Sequence, residues 1–175
     1  LTSLKQWNID DDTLVIFMGD NGTAAGSNGK LDSDGFNAAM KGKKGAVYEG
    51  GHRVACFARW PQKLKAGGSI DKLTMHTDWL PTLTELCDLK KNKNLNWDGR
   101  SIASLLEGKS KDWKARSIFI SKQADQLNLW KPGGNNQSKY PHFAVLSEKW
   151  RYVDGELYDI RADPSQTTDV AKQHP

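Results

Sequence analysis

The run Thr13-Leu-Val-Ile-Phe-Met18 constrains the fold of this 175-residue chain more than any other feature. It is continuous, apolar and rich in β-branched side chains. The acidic turn Asn8–Asp12 precedes it, and Gly19-Asp-Asn-Gly22 follows. A short apolar run between turn signals predicts a strand buried on both faces, as in the sheet of an α/β protein. Open sheets of that class bind ligands beyond the carboxyl ends of their strands. The residues directly after Met18 are therefore the first place to look for chemistry.

Along the rest of the chain, Leu1, Leu4 and Trp7 recur at helical spacing. Gly19–Gly45 reads as a long loop rich in Gly, Asn, Asp and Ser, and such loops in compact domains carry function or are disordered. Val54–Trp60 reads as a second apolar strand, stopped by Pro61. A helix follows with Asp78 as its N-cap, Pro81 in the first turn and an apolar stripe of Leu80, Leu83 and Leu86. Ile102, Leu105 and Leu106 predict one more helical turn, ended by Gly108. Beyond Asp112–Arg116 the pattern changes to short strands: Ser117–Ser121, His142–Leu146, Trp150–Val153 and Glu156–Ile160. Asp154-Gly155 is a two-residue hairpin signal, so this half reads as an antiparallel meander. Lys131–Tyr140 reads as a loop, and the polar tail after Asp163 as a short helix.

Composition excludes several classes. With 37% hydrophobic and 26% charged residues the chain is globular, not disordered. Its longest apolar run, Leu14–Met18, is far too short to span a bilayer. The net charge of +4 is mild and the lysines are scattered, with small clusters at Lys41/Lys43/Lys44 and Lys90/Lys91/Lys93. Neither a dense basic stripe nor a nucleic-acid module is present. Cys56 and Cys87 are too few for a disulfide framework and read as buried free thiols. The opening Leu-Thr-Ser-Leu-Lys has no signal-peptide character and enters a fold at once, so the chain is expected to be a fragment of a longer protein.

Two segments carry chemistry. Asp20-Asn21 places a carboxylate beside a carboxamide, hard oxygen donors suited to Ca²⁺ or Mg²⁺. Gly22 lets the backbone turn sharply, and the same three residues also make an ordinary Asx-Gly turn. The second segment is Lys41-Gly-Lys-Lys-Gly-Ala-Val-Tyr-Glu-Gly-Gly-His-Arg-Val54, whose glycines permit close backbone approach and whose lysines can neutralise an oxyanion. It is not a P-loop, since G-x-x-x-x-G-K-[S/T] is absent. Taken alone it is equally a Gly-rich hairpin with solvated lysines.

The order of these parts is more specific than either. A strand leading into Asp20-Asn-Gly22, a long loop, Lys44-Gly-x-x-x-Glu-Gly-Gly-x-Arg-Val54, a strand and Asp78-x-x-Pro-Thr-Leu83 resemble the sulfatase family of the alkaline-phosphatase-like superfamily. Leu157-Tyr-Asp-Ile-Arg-Ala-Asp-Pro164 resembles that family's late L-Y-D-x-x-x-D-P segment. The resemblance implies an α/β fold. Residues 1–113 would be the rear part of the catalytic mixed sheet with flanking helices, and 114–175 a small antiparallel sheet with a C-terminal helix. It implies that Asp20 and Asn21 are metal ligands, usually to Ca²⁺. Lys44 would be the lysine that contacts the sulfate group, while Lys41 and Lys43 are solvated neighbours. Glu49 and Arg53 match family positions and read as a structural pair. The implied partners are a sulfated small molecule or carbohydrate and the missing N-terminal part of the same protein, in a periplasmic, secreted or lysosomal setting.

The sequence departs from the family pattern at Ala55, where Pro often stands, and at Gln166 and Asp169, where Glu and Asn are common. None is expected to touch the site. The family's nucleophile, a Cys or Ser in C/S-x-P/A-x-R that becomes formylglycine, has no counterpart. Cys56-Phe-Ala-Arg59 has its Arg one position early and lies in an apolar strand. The nucleophile is thus expected upstream, and these residues alone are expected to be inactive. His76 and His142 read as structural or solvent-facing histidines, and most of the tryptophans as core. The alternatives are a phosphoester or phosphonate hydrolase of the same superfamily and a non-catalytic binding module.

Overall fold

The computed structural model describes residues 1–24, 36–92, 94–109, 113–121 and 142–175. The middle of the long loop after Gly19 and the predicted loop Lys131–Tyr140 lie outside those residues. By internal contacts the chain forms two units. One comprises Leu1–Phe17 with Cys56–Ala115, the other Met18–Ala55 with Arg116–Pro175.

The first unit opens with α1, Thr2–Gln6. Asn8 takes φ +57°, and the Asn8 and Ile9 amides donate to the Lys5 and Leu4 carbonyls, which ends the helix in a Schellman motif. Strands β1, Val15–Met18, and β2, Cys56–Arg59, form a two-stranded sheet. Full burial of β1 was expected, yet Val15 and Ile16 are half-buried and Phe17 is 67% exposed. Two strands leave most of a sheet's surface uncovered, and the Phe17 ring rests on the equally exposed Phe57, 6.3 Å between centroids. Cys56 heads β2 and Cys87 caps a helix end, so both thiols are exposed rather than buried.

Helix α3, Trp79–Leu86, and α4, Ala103–Leu106, complete this unit. Its core is Trp60, Leu86 and Ala103, with Leu14, Leu64 and Leu106 packed around them. The buried face of α3 follows Asp78, Thr82 and Leu86 at intervals of four, while Leu80 is exposed. Asp78 holds the N-cap position of α3 as expected, but it also ends a 3₁₀ turn, His76–Asp78, and its side chain makes no capping hydrogen bond to α3. Its buried carboxylate accepts the Met75 and Arg100 amides at 2.8 and 3.0 Å, and Thr82 Oγ1 accepts the Ile102 amide at 2.9 Å. The Asp78-x-x-Pro-Thr motif is therefore a tie between the start of α3 and the loop that enters α4.

The second unit is built on an antiparallel sheet in the order β3 (Ile118–Ser121), β4 (Phe143–Leu146), β5 (Trp150–Val153) and β6 (Glu156–Asp159). Asp154 and Gly155, at φ +48° and +100°, make the tight β5–β6 turn that their sequence predicts. Side chains alternate between faces, and the register sets Ile118, Leu146, Arg151 and Tyr158 side by side in one buried row. The tail docks on β6: Asp169 accepts the Leu157 amide at 2.9 Å and Val170 donates to the Leu157 carbonyl at 2.8 Å. Its helical element is a single 3₁₀ turn, Ala171–Gln173. No helix among the described residues is long and apolar enough to cross a membrane.

Candidate active site

Three backbone segments of the second unit meet on a four-residue helical turn, α2 (Glu49–His52). The turn is buried through Glu49, Gly50 and Gly51. Gly22 donates to the Gly51 carbonyl at 2.9 Å, and Gly50 to the Lys41 carbonyl at 2.8 Å. A Cβ on Gly22 would stand 1.8 Å from the Gly50 oxygen, and one on Gly51 would stand 2.0 Å from the Ala46 oxygen. Gly22 has no left-handed φ. Its role is close approach of two backbones, not the sharp turn that its sequence suggests.

The Asp20-Asn21 pair and Lys44 share this floor. Gly19 donates to the Ala55 carbonyl at 3.1 Å, which anchors the start of the turn, and the Lys44 amide donates to the Thr23 carbonyl at 2.9 Å. Lys44 itself sits at the tip of a tight turn closed by Ala46 N–H to the Lys43 carbonyl at 2.8 Å, with Gly45 at φ +84°. Asp20, Lys43 and Lys44 are exposed and Asn21 is half-buried. Among the described residues no carboxylate forms an ion pair with Lys44 and no cation pairs with Asp20. The donor set of one carboxylate and one carboxamide suits a hard divalent cation, but it fills only part of the roughly 6–8 oxygens that Ca²⁺ takes. No group of three or more His, Cys, Asp or Glu side chains among the described residues completes it. Asp32 and Asp34 of the same loop lie outside those residues.

Lys41, expected as a solvated neighbour, is only partly so, with its side chain 34% exposed. Its ammonium donates to Tyr158 Oη at 3.0 Å, lies 4.1 Å from the centre of the Tyr48 ring and stands 3.7 Å from Glu156 Oε2. Tyr48 donates to the same carboxylate oxygen at 3.0 Å, and Tyr158 donates to it as well. The Tyr158 bond, ahead of the Tyr48 bond and the Lys41 charge, holds the Glu156 carboxyl below its ordinary value. Burial, then the Glu156 bond, pushes the Tyr158 hydroxyl far up. The first stem of the Lys44 loop is thus fixed to β6. Asn37 fastens the approach to it, donating to the Met40 and Gly42 carbonyls at 2.6 and 3.1 Å.

The second stem is fixed by a cluster that sequence reasoning found only in part. Glu49, 1% exposed, accepts from Arg53 at 3.1 Å as expected, but its other oxygen accepts from Arg151 Nε at 2.5 Å. Arg151 also donates to the Ser147 and Trp150 carbonyls. Gln166, fully buried, accepts the Glu49 amide at 2.8 Å, so this departure from the family pattern does reach the floor of the site. His52 lies beneath, its Nε2 3.2 Å from the Val47 carbonyl, and burial lowers its pKa. The signal for Arg151 lay in strand phase: Val153 belongs to the inward set, and so must the residue two before it.

The other candidates contribute none of the hydrogen bonds and ion pairs just described. Exposed His76 belongs to the first unit. His142 Nδ1 lies 3.4 Å from the Asp154 carboxylate at the β5–β6 turn. Cys56 opens β2 and, like His76, belongs to the first unit.

The sulfatase family model matches residues 1–89. Human steryl-sulfatase is 36% identical over 95% of this chain and 32% of its own length. Among solved structures, a protein from the locus by which Bacteroides thetaiotaomicron metabolises multiple glycosaminoglycans aligns over 99% of this chain and 38% of its own, at 25% identity and TM-score 0.71. The phosphonate monoester hydrolase of Agrobacterium radiobacter aligns over 99% and 34%, at 25% identity and TM-score 0.66. The chain belongs to the sulfatase family, with the mixed α/β fold of alkaline-phosphatase-like enzymes. It spans about a third of the length of the curated relatives that it matches.

Proposed function

We propose that this chain forms part of a hydrolase of sulfate esters, contributing part of a metal shell and one cationic substrate contact. The observation that carries the reading is the convergence of two hydrogen bonds. Gly22 N–H to the Gly51 carbonyl ties the Asp20-Asn21 segment to the buried turn, and Lys44 N–H to the Thr23 carbonyl ties the Lys44 loop to that same segment. Asp20 and Asn21 would each give one oxygen to a divalent cation, Ca²⁺ or a close relative. Such a cation, when bound, supplies Lewis-acid polarisation and neutralises negative charge. Lys44, carried on a turn tethered at both stems, would meet a sulfate oxygen and stabilise charge that grows during transfer. The nucleophile, a formylglycine by family resemblance, would come from outside these 175 residues, which alone should show no turnover. The substrate would be a sulfated small molecule or carbohydrate, and the setting periplasmic, secreted or lysosomal.

The test is turnover of paired aryl sulfate and aryl phosphonate esters by the intact protein, before and after removal of metal. Sulfate-ester hydrolysis that is lost with the metal and restored by Ca²⁺ supports the reading. Preference for the phosphonate ester contradicts the substrate class, and activity indifferent to chelation contradicts the metal.

A further inference from the structure

Arg151 is a charged residue in an apolar row. Ile118, Leu146 and Tyr158 flank it on the buried face of the sheet. Its side chain is 7% exposed, and that of Glu49 is 1% exposed. Burying two charges is costly, and apolar residues of similar size are often no less stabilising at such positions. Stability alone is therefore a poor reason for this pair. What distinguishes it is what Glu49 carries. The backbone of α2 holds the Asp20-Asn21-Gly22 turn through Gly51 and the Lys44 loop through Gly50, and a Cβ on Gly22 or Gly51 would overlap backbone. A rigid turn packed this closely transmits its own position to both neighbours.

We propose that Arg151 is a positioning residue. By fixing the Glu49 carboxylate from the middle of the antiparallel sheet, it sets where α2 lies, and with it the spacing of the metal pair and Lys44. Arg151 suits this task better than lysine would. Its planar guanidinium meets Glu49 through Nε and the Ser147 and Trp150 carbonyls through the NH1 nitrogen, so its own position is fixed on β5. Gln166 adds a second constraint on the same residue through the Glu49 amide. This inference rests on the reading of Asp20, Asn21 and Lys44 as metal and oxyanion ligands.

The test uses the intact protein and four variants: Arg151→Met, Arg151→Lys, the double variant Glu49→Met with Arg151→Met, and Lys44→Ala. Three quantities are measured: the melting temperature, Ca²⁺ affinity of metal-stripped protein by calorimetry, and kcat and KM on an aryl sulfate. Arg151→Met leaves the buried Glu49 carboxylate with Arg53 as its one charged partner among the described residues, and should lower the melting temperature, the Ca²⁺ affinity and kcat. The double variant removes both charges and should regain most of the melting temperature. Its Ca²⁺ affinity and kcat should stay at least about tenfold below the parent, because the side-chain tie from β5 to α2 is then gone. Arg151→Lys should melt near the parent yet lose about tenfold in kcat/KM. If the double variant recovers affinity and kcat along with its melting temperature, or if Arg151→Lys matches the parent in every measurement, the pair is merely structural and the proposal falls. Should the double variant not fold, Arg151→Lys decides alone. Failure of the underlying site reading shows separately, as a Lys44→Ala variant with parental kinetics.

Discussion

Adding one methyl group at Gly22 tests the close approach on which the site depends. In Gly22→Ala the new Cβ would stand 1.8 Å from the Gly50 oxygen, 2.8 Å from the Gly50 carbonyl carbon and 3.0 Å from the Gly51 carbonyl carbon. Real contacts of this kind start near 3.0 Å, so the two backbones must part by at least 3.0 − 1.8 = 1.2 Å. Every atom met is backbone, and no side chain can swing away. The separation strains or breaks the 2.9 Å bond from Gly22 to Gly51. Overpacking of this kind costs about 1–3 kcal/mol, and the lost hydrogen bond about 1 more. Displacing metal ligands by an ångström costs roughly 10²-fold in rate. The control is Gly67→Ala, where φ is +74° and nothing lies within 4 Å, so only backbone strain of about 1–2 kcal/mol enters. Thermal unfolding and aryl sulfatase kinetics on the intact protein should show both variants destabilised and only Gly22→Ala inactivated, with weakened Ca²⁺ activation. A Gly22→Ala variant with kcat/KM within twofold of the parent would refute the argument that α2 sets the position of Asp20 and Asn21.

Lys41→Ala should lower stability by about 1–2 kcal/mol, through the lost tyrosine contact and hydrogen bond, and change kcat/KM by less than tenfold; a larger kinetic loss in calorimetrically stable protein would move Lys41 into the site. The Glu156 carboxyl is held below its ordinary 4.5, mainly by Tyr158, so its contribution is complete above that pH and fades as pH falls through the folded value. Melting temperatures of the parent and of Glu156→Gln should therefore differ near neutrality and converge in acid; a gap that widens in acid contradicts this sign. Calorimetric titration of Ca²⁺ into the 175-residue chain alone should show weak or undetectable binding, since two donors make a fraction of a shell; tight one-to-one binding would mean that Asp32 or Asp34 completes it.

The second half of the chain was readable because its short apolar runs are separated by turns, and Asp154-Gly155 marks the hairpin that needs a left-handed turn. The predicted strands differ from the observed ones by a residue or so at the ends. The motif residues were legible as a set, but not the reasons for them. Gly22 looked like a turn glycine because a sequence shows local freedom and not the close carbonyls of Gly50 and Gly51. Lys41 looked solvated because two of its partners, Tyr158 and Glu156, lie more than 100 positions later. The inward position of Arg151 follows from its phase with buried Val153, which burial and not residue type reveals. Leu80 fits the helical spacing of an apolar stripe and Phe17 the bounded apolar run of β1, yet both are exposed, since exposed apolar residues are common enough that type and spacing do not settle burial. Cys56 and Cys87 failed for the same reason.

The central claim is that Lys44, and not its neighbours, meets the substrate. The direct measurement compares kcat/KM on an aryl sulfate for Lys44→Ala and Lys43→Ala in the intact protein, with melting temperatures recorded for both. Lys43 and Lys44 are adjacent, exposed and equally charged, so they control for basicity and location. Loss of one donor to a developing oxyanion predicts a fall of about 10²–10³ for Lys44→Ala and much less than tenfold for Lys43→Ala. Both melting temperatures should stay within about 2 °C of the parent. Equal small effects of the two substitutions, or a Lys44→Ala variant whose main defect is a lowered melting temperature, would contradict the assignment.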